Sequence, residues 1–574
     1  MTLEQYQAIN YTLPEDILAW NMYGVGVENI GRNNAPESFE LPEPSDDQML
    51  VRVDSVGMCF SDVTLIRQGG RHPKLYNRDL AQEPTRLGHE ACITIMKVGA
   101  NLQDQFKAGD RLAVQPDIYQ NGKSTAYGYT IPGGLIQYHL MGAEMLETDA
   151  GVCLLPLDDS LGYAETALLE PWGCVMAAYT QRRRLTPKEG GTMWIRGRAD
   201  DDRAYVFSSF LDAPATIILS DVPQSVAALV AETGATIVRR DGVTDFAALS
   251  AELTQGGFDD IVLLDETSAE TVTAIATHIA RRGTLNLVGT QPLDGLVNTD
   301  VGRLHYDYIA FIGTNSADIA ASYGEARNRC ELAQNGSLVV VGAGGPMGQM
   351  HVQRAIELPN GPKLIIATEI NDSRLAAIQE RFSSLAAKNG RTLITFNPLN
   401  NDQSLYDFVM HRTDNVGADD VVICVPVASL MEEGATLMNE NGMLNLFAGV
   451  PNGTLAPIDV SNTYLNNMQL TGTSGLTIDD QADVMARALD ATLSPSRLVA
   501  AIGGIEAAQD GVVAMMESRY PGKIVIFPQI SGLPLLGLDE LHTQYPNIAQ
   551  HLGENDAWTP EAEKALIEYF WSAA

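Results

Sequence analysis

The chain has 574 residues, 45% of them apolar and 19% charged; this excludes a single small binding module and a largely disordered chain, and at roughly 100 to 200 residues per domain it predicts about three or four domains. The 37 basic residues face 72 acidic ones, a formal charge of −35 at pH 7, which repels polyphosphate backbones and anionic lipids and argues against nucleic-acid or membrane partners. Six scattered cysteines without CxxC spacing, a start (MTLEQYQAINYTLPED) with no basic-then-apolar leader, and no apolar run near the roughly 18 residues that span a bilayer predict a reduced, soluble, cytoplasmic protein.

Along the chain, short alternating runs such as Met49–Val56 and Gly109–Val114, set among glycines and prolines, predict a barrel-like β-rich domain over 1–188. From Gly190 apolar strands alternate with Ala-rich helical stretches, the pattern of a parallel sheet covered on both faces, and the pattern occurs twice. Thr192–Gly197, Ala215–Asp221, Asp260–Leu264 and Gly283–Gly289 have counterparts in Ser337–Gly342, Lys363–Glu369, Asp420–Cys424 and Gly442–Gly449, and each series closes on a Gly-Thr pair, Phe311–Thr314 and Leu470–Thr473. Gly289 and Gly449 lie 160 residues apart, Gly313 and Gly472 lie 159 apart, so we expect two tandem doubly wound, Rossmann-type domains over 189–316 and 336–475. Residues 490–530 return to a strand, Gly522–Phe527, and are expected to complete the first domain. The helical tail, 531–574, carries an amphipathic stretch Thr559–Trp571 with Thr559 as N-cap and Pro560 at the first helical position; a packing helix is preferred to a partner-binding one.

Three segments concentrate metal-ligand chemistry: Gly57-Met-Cys-Phe-Ser-Asp62, Gly88-His-Glu90 and Leu169-Glu-Pro-Trp172. Thiolate, imidazole and carboxylate are ligands of a borderline-soft cation, and three protein ligands plus one open position is the catalytic form of zinc. In the second doubly wound copy, Gly342-Ala-Gly-Gly-Pro-Met-Gly348 follows a strand and precedes a helix, where glycines let backbone approach a pyrophosphate. Gly342, Gly344, Gly345, Pro346, Met347 and Gly348 are therefore the expected cofactor loop, although the spacing departs by one residue from G-x-G-x-x-G. Glu369, at the end of the next strand, is expected to accept from ribose hydroxyls and repel a 2′-phosphate, favouring NAD(H) over NADP(H). The first copy has Gly197-Arg-Ala-Asp-Asp-Asp-Arg203 at the same place; three carboxylates and one glycine predict no ordinary dinucleotide site there. Asp221 leaves room for another ligand in that copy, with a scaffold or subunit-contact role as the plainer reading, and the second copy is expected to serve the zinc.

Five basic side chains within 67–86 (Arg67, Arg71, Lys74, Arg78, Arg86) could form an electropositive mouth for a phosphorylated or carboxylated sugar, or a solvated loop. Gln181–Leu185 is expected to be a solvated helix end; His351, shortly after the glycine loop, could approach a bound pyrophosphate, with capping or packing the commoner reading, and is left unassigned.

Over about 1–190 and 490–530 these motifs resemble the medium-chain, zinc-dependent alcohol and polyol dehydrogenases. The resemblance implies a GroES-like catalytic domain, with Cys59, His89 and Glu170 around one zinc, Glu90 beside it as an exchanging or outer carboxylate, and Ser61 passing the substrate proton outward. Glu90 and Glu170 point to the polyol branch, that of sorbitol dehydrogenase. Where many relatives keep a relay histidine this chain has Thr64, and the lobe between Asp110 and Gly134 has no cysteine for a structural zinc. Ala126–Tyr138 and Gly345–Met350 are similar to the branch that includes L-sorbose 1-phosphate reductase. The implied activity is hydride transfer between NAD(H) and a secondary alcohol or ketone of a polyol, sugar or sugar phosphate, in a homodimer or homotetramer. The alternatives are an epimerase or lyase with tightly held NAD, and a dinucleotide-sensing binding protein.

Overall fold

A computed structural model describes residues 2–571. They fall into two compact units, one comprising Met1–Met176, Gly345–Met350 and Gly475–Ala574, the other Ala177–Gly344 and His351–Ser474. Among the described residues no helix is long and apolar enough to cross a membrane.

The first unit is built on an eight-stranded sheet centred on Met49–Gly57, which pairs with Glu90–Val98 on one side and Lys523–Phe527 on the other, with Tyr138–Met141 also bonded to it. The alternation in Met49–Gly57 predicts one wet face, yet all nine residues are buried. The polar face is covered: Arg52 bonds Asp54 at 2.7 Å, Tyr6 and Thr94 both donate to Asp54 at 2.6 Å, and the Arg52 guanidinium lies 3.6 Å from the Tyr6 ring centroid. A buried charge pair persists where its remaining hydrogen-bonding groups are also satisfied. The tail belongs to this unit. Thr559 caps the helix Pro560–Phe570 as the sequence predicts, Glu563 accepts from Tyr163 N and from Ala164 N at the start of another helix, and Trp571 stacks edge-on to Tyr6.

The second unit contains two six-stranded parallel sheets with one strand order. In the first, Thr192–Arg196 lies between Thr216–Ser220 and Phe258–Leu264, followed outward by Thr236–Arg239 on one side and by Ile279–Val288 and Ala310–Thr314 on the other. In the second, Ser337–Val341 lies between Leu364–Thr368 and Ala418–Ile423, with Thr392–Phe396, Met438–Asn445 and Gln469–Thr471 in the matching outer places. Each is the 3-2-1-4-5-6 order of a dinucleotide-binding fold.

The copies share a staple. Arg184 pairs with Asp260 and donates to the Asp259 carbonyl; Arg329 pairs with Asp420 and donates to the Asp419 carbonyl. Asp259 and Asp419 in turn accept from Thr192 N and Ser337 N, the first residues of the two central strands. A two-stranded antiparallel ribbon joins equivalent segments, Val297 opposite Ile458 and Asp300 opposite Leu455, the reciprocal register that a local two-fold produces.

The Gln181–Leu185 run departs from its expected solvated end. Arg183 is buried and donates to Thr471 Oγ1 and to the carbonyls of Ile309, Leu304 and Gly472. A guanidinium with five donors can satisfy several otherwise unpaired carbonyls at once, which offsets its desolvation.

Candidate metal centre and dinucleotide loop

Cys59 lies just past the strand Met49–Gly57, before the helix Phe60–Gln68, and Glu90 opens the strand Glu90–Val98. The register sets Gly57 opposite Glu90, and glycine is needed there because a Cβ would fall 2.1 Å from Glu90 Oε2. Gly128, at φ +82°, similarly leaves room for His89, whose Cβ would stand 2.9 Å from an added methyl. One ligand atom from each of Cys59, His89 and Glu90 then lies within 4.8 Å of the others. Glu170, buried at the start of the helix Leu169–Ala177, stands outside that cluster; Cys174, one turn on, has its Sγ 3.8 Å from Glu170 Oε1. The geometry thus gives Glu90, expected as the outer carboxylate, the nearer place.

Around these atoms the hydrogen bonds are directional. Asp62 Oδ1 lies 3.3 Å from His89 Nδ1, while Asp62 Oδ2 accepts from Cys59 N at 3.1 Å. Nε2 is left facing Ser61 Oγ at 3.4 Å, and Ser61 donates to Cys59 Sγ at 3.0 Å. Lys523 bonds Glu90 Oε1 and the Met58 carbonyl, whereas Glu90 Oε2 is buried without a hydrogen-bond partner. Burial alone would lower the His89 imidazole, but the Asp62 carboxylate and the Cys59 sulfur outweigh it and raise it well above its usual range. Burial pushes the Glu170 carboxyl up to about 7; the Glu90 charge adds to this, and His89 and Lys523 oppose it. An orphaned buried carboxylate oxygen beside a thiol and an imidazole oriented by a carboxylate is a donor set that fits a zinc ion.

In the second copy, Gly342 has φ +78° and, with Ala343, donates to the Thr368 carbonyl. Gly344 donates to Glu369 Oε2 at 3.1 Å, and a Cβ on it would fall 2.4 Å from that oxygen. Nothing lies within 4 Å of a Cβ built on Gly345, and the helix Pro346–Glu357, holding Pro346, Met347 and Gly348, begins at once. The other Glu369 oxygen accepts from Ile370 N and Asn371 N. Bare glycines leading into a helix of three turns fit a pyrophosphate. His351 on this helix packs, accepting from Tyr179 at Nδ1 and lying edge-on to Phe447.

The first copy lacks these features. Among the described residues no helix stands between Arg196 and Thr216, so no helix N-terminus is offered. Asp201 accepts from Arg203 N and the Tyr205 hydroxyl, and Asp221, at φ +51°, accepts from Gly242 N with both oxygens.

The alcohol dehydrogenase GroES-like domain matches residues 45–148. The mannitol-1-phosphate 5-dehydrogenase of Aliivibrio fischeri is 23% identical over 543 residues, 93% of this chain and 94% of that protein. The L-sorbose 1-phosphate reductase of Klebsiella pneumoniae is 21% identical over 537 residues, with 93% and 94% covered. The chain resembles the zinc-type medium-chain alcohol and polyol dehydrogenases, in one domain by family match and over nearly its whole length by these relatives. A solved (2R,3R)-butanediol dehydrogenase from Bacillus subtilis shares the fold, with a TM-score of 0.51 at 15% identity over 89% of this chain and 99% of that one.

Sequence reading misses four groups near the candidate metal centre. Asp62 stands three residues after Cys59, a spacing that flags a helix cap but not a second oxygen aimed at His89. Lys523, 2% exposed, is a lone cation in the apolar strand Lys-Ile-Val-Ile-Phe, a signal that a buried acid must face it. Tyr129 lies with its ring centroid 5.9 Å from that of His89. Asp117 pairs with Lys74 at 3.3 Å. The other cations of the basic stretch go elsewhere: Arg78 to the Thr130 carbonyl, Arg86 to Asn21 and the Gly133 carbonyl, with Arg67 and Arg71 exposed.

Proposed function

We propose that this dehydrogenase transfers hydride between NAD(H) and a secondary alcohol, or its ketone, in a polyol, sugar or sugar phosphate. Cys59, His89 and Glu90 would hold one zinc ion, with Glu170 beside it, and Gly342 to Gly348 with Glu369 would hold the dinucleotide. The observation that carries the reading is the buried thiol–imidazole–carboxylate cluster with an unpartnered Glu90 oxygen and a serine hydroxyl against it.

Zinc bound there supplies Lewis acidity, lowering the pKa of an alcohol hydroxyl. The chain does the rest. Asp62, 3.3 Å from His89 Nδ1, favours a proton on that nitrogen and would leave Nε2 to the metal. Lys523 holds one oxygen of Glu90 and leaves the other directed inward. Ser61, bonded to Cys59 Sγ, can take the substrate proton and pass it on. Thr64 offers no onward step in the histidine's place, since its hydroxyl turns back to the Phe60 carbonyl at 3.4 Å.

The Glu369 carboxylate supports NAD(H) over NADP(H). The names of the two relatives matched over nearly the whole chain support a polyol or sugar-phosphate substrate. The test is zinc analysis joined to NAD+ reduction over polyols, sugars and their phosphates. About one zinc per chain with NADH formed is expected; zinc-free protein with full turnover contradicts the proposal.

A further inference from the structure

The pair Lys74–Asp117 has no part in the chemistry proposed above, yet it borders the metal centre. Lys74 Nζ lies 3.3 Å from Asp117 Oδ1 and 5.0 Å from the centroid of the Tyr129 ring, and that ring lies tilted against His89 at 5.9 Å. The Asp117 charge also acts on Glu170, adding to the rise of its carboxyl. One aromatic ring and one carboxylate thus separate the pair from the reacting centre.

Both side chains are half-buried, 35% and 22% exposed. An ion pair of this kind contributes little stability, and a lysine in a solvated loop needs no such setting. Its hydrogen-bonding capacity is largely unspent. Of the three ammonium donors one is used, on Asp117 Oδ1, and Asp117 Oδ2 faces Gly475, which has φ +70° and whose missing Cβ would stand 2.4 Å from that oxygen. A donor and an acceptor are therefore presented together, the arrangement that takes adjacent hydroxyls on a carbon chain, each hydroxyl giving and receiving one bond.

We infer that Lys74 and Asp117 are specificity-determining residues that hold the non-reacting hydroxyls of a polyhydroxylated substrate. The inference rests on the proposed function for the identity of the reacting centre. Lys74 is not a phosphate site here, because its charge is already matched by a carboxylate that would repel the phosphate.

The test uses the full chain loaded with zinc and compares wild type with Lys74→Met, Lys74→Arg and Asp117→Asn. Two readouts are taken: kcat/KM with NAD+ for mannitol, sorbitol and 2-butanol, and calorimetric Kd for mannitol, sorbitol and their 1-phosphates. Lys74→Met and Asp117→Asn are expected to lose about 10- to 100-fold in polyol kcat/KM and affinity, the range of one or two charged hydrogen bonds. Turnover of 2-butanol by Lys74→Met should stay within about threefold, and Lys74→Arg should restore part of the loss. Equal losses for polyol and 2-butanol would overturn the inference, as would unchanged polyol constants, a loss confined to the 1-phosphates, or a wild type that binds none of the four. Polyol binding that the variants lose, in a wild type that never reduces NAD+, would uphold this pocket and refute the proposed redox reaction instead.

Discussion

The two doubly wound copies of the second unit have the same strand order, the same arginine staple across the first and fourth strands and reciprocal ribbon strands, yet only one carries a glycine turn that leads into a helix. In the second copy Gly342 turns at positive φ and a helix follows at Pro346; in the first a carboxylate-rich loop runs from Gly197 to the next strand without any helix. The acids after the second strands diverge in step. Glu369 reaches the glycine loop through Gly344 N, whereas both oxygens of Asp221 are taken by Gly242 N. The comparison teaches that the sheet is held by its core and staple, while the glycine turn and its helix reside in one loop and can be absent without loss of the fold.

What the copies share should respond equally. Arg184→Ala and Arg329→Ala each leave a buried aspartate without its cation, and each is expected to cost about 3 to 5 kcal/mol in urea unfolding; a cost confined to one copy would break the equivalence. What they do not share should respond unequally. Gly344→Val sets side-chain atoms against Glu369 and is expected to weaken NADH binding about 100-fold, roughly 2.7 kcal/mol, in a fluorescence titration, whereas Gly197→Val should leave it within about twofold. A comparable loss from Gly197→Val would place the cofactor in the first copy. Glu369→Ala should sharpen the contrast further, shifting the NADP+ to NAD+ ratio of kcat/KM by about tenfold, roughly 1.4 kcal/mol, with Asp221→Ala leaving the ratio unmoved.

Much of this was legible in the sequence because it is local. Apolar runs mark ten of the twelve strands of the two parallel sheets, the near-constant spacing of the Gly-Thr pairs marks the repeat, and Thr559-Pro560 marks the tail helix. The third strand of each copy was not legible. Thr236–Arg239 is largely exposed and Thr392–Phe396 has one fully buried residue, so neither makes the apolar run of a central strand. The metal motifs could be read as ligand types, but their ranking could not, since Glu90 comes forward through its register against Gly57 and Glu170 stands on a separate helix. Lys523 reaches Glu90 across 433 residues, and Arg183 finds its carbonyls 121 to 289 residues away; contacts at such separations exist only once the chain has folded.

The most direct test of the account follows one hydrogen atom. Zinc-loaded protein is given NAD+ and a polyol deuterated at its carbinol carbons, and deuterium in the nicotinamide is read by mass spectrometry for wild type, Cys59→Ser and Gly344→Val. The account predicts deuterated NADH from wild type and little or none from either variant. A wild type that forms no NADH while altering the polyol, or a Cys59→Ser protein that transfers deuterium as fast as wild type, would contradict it.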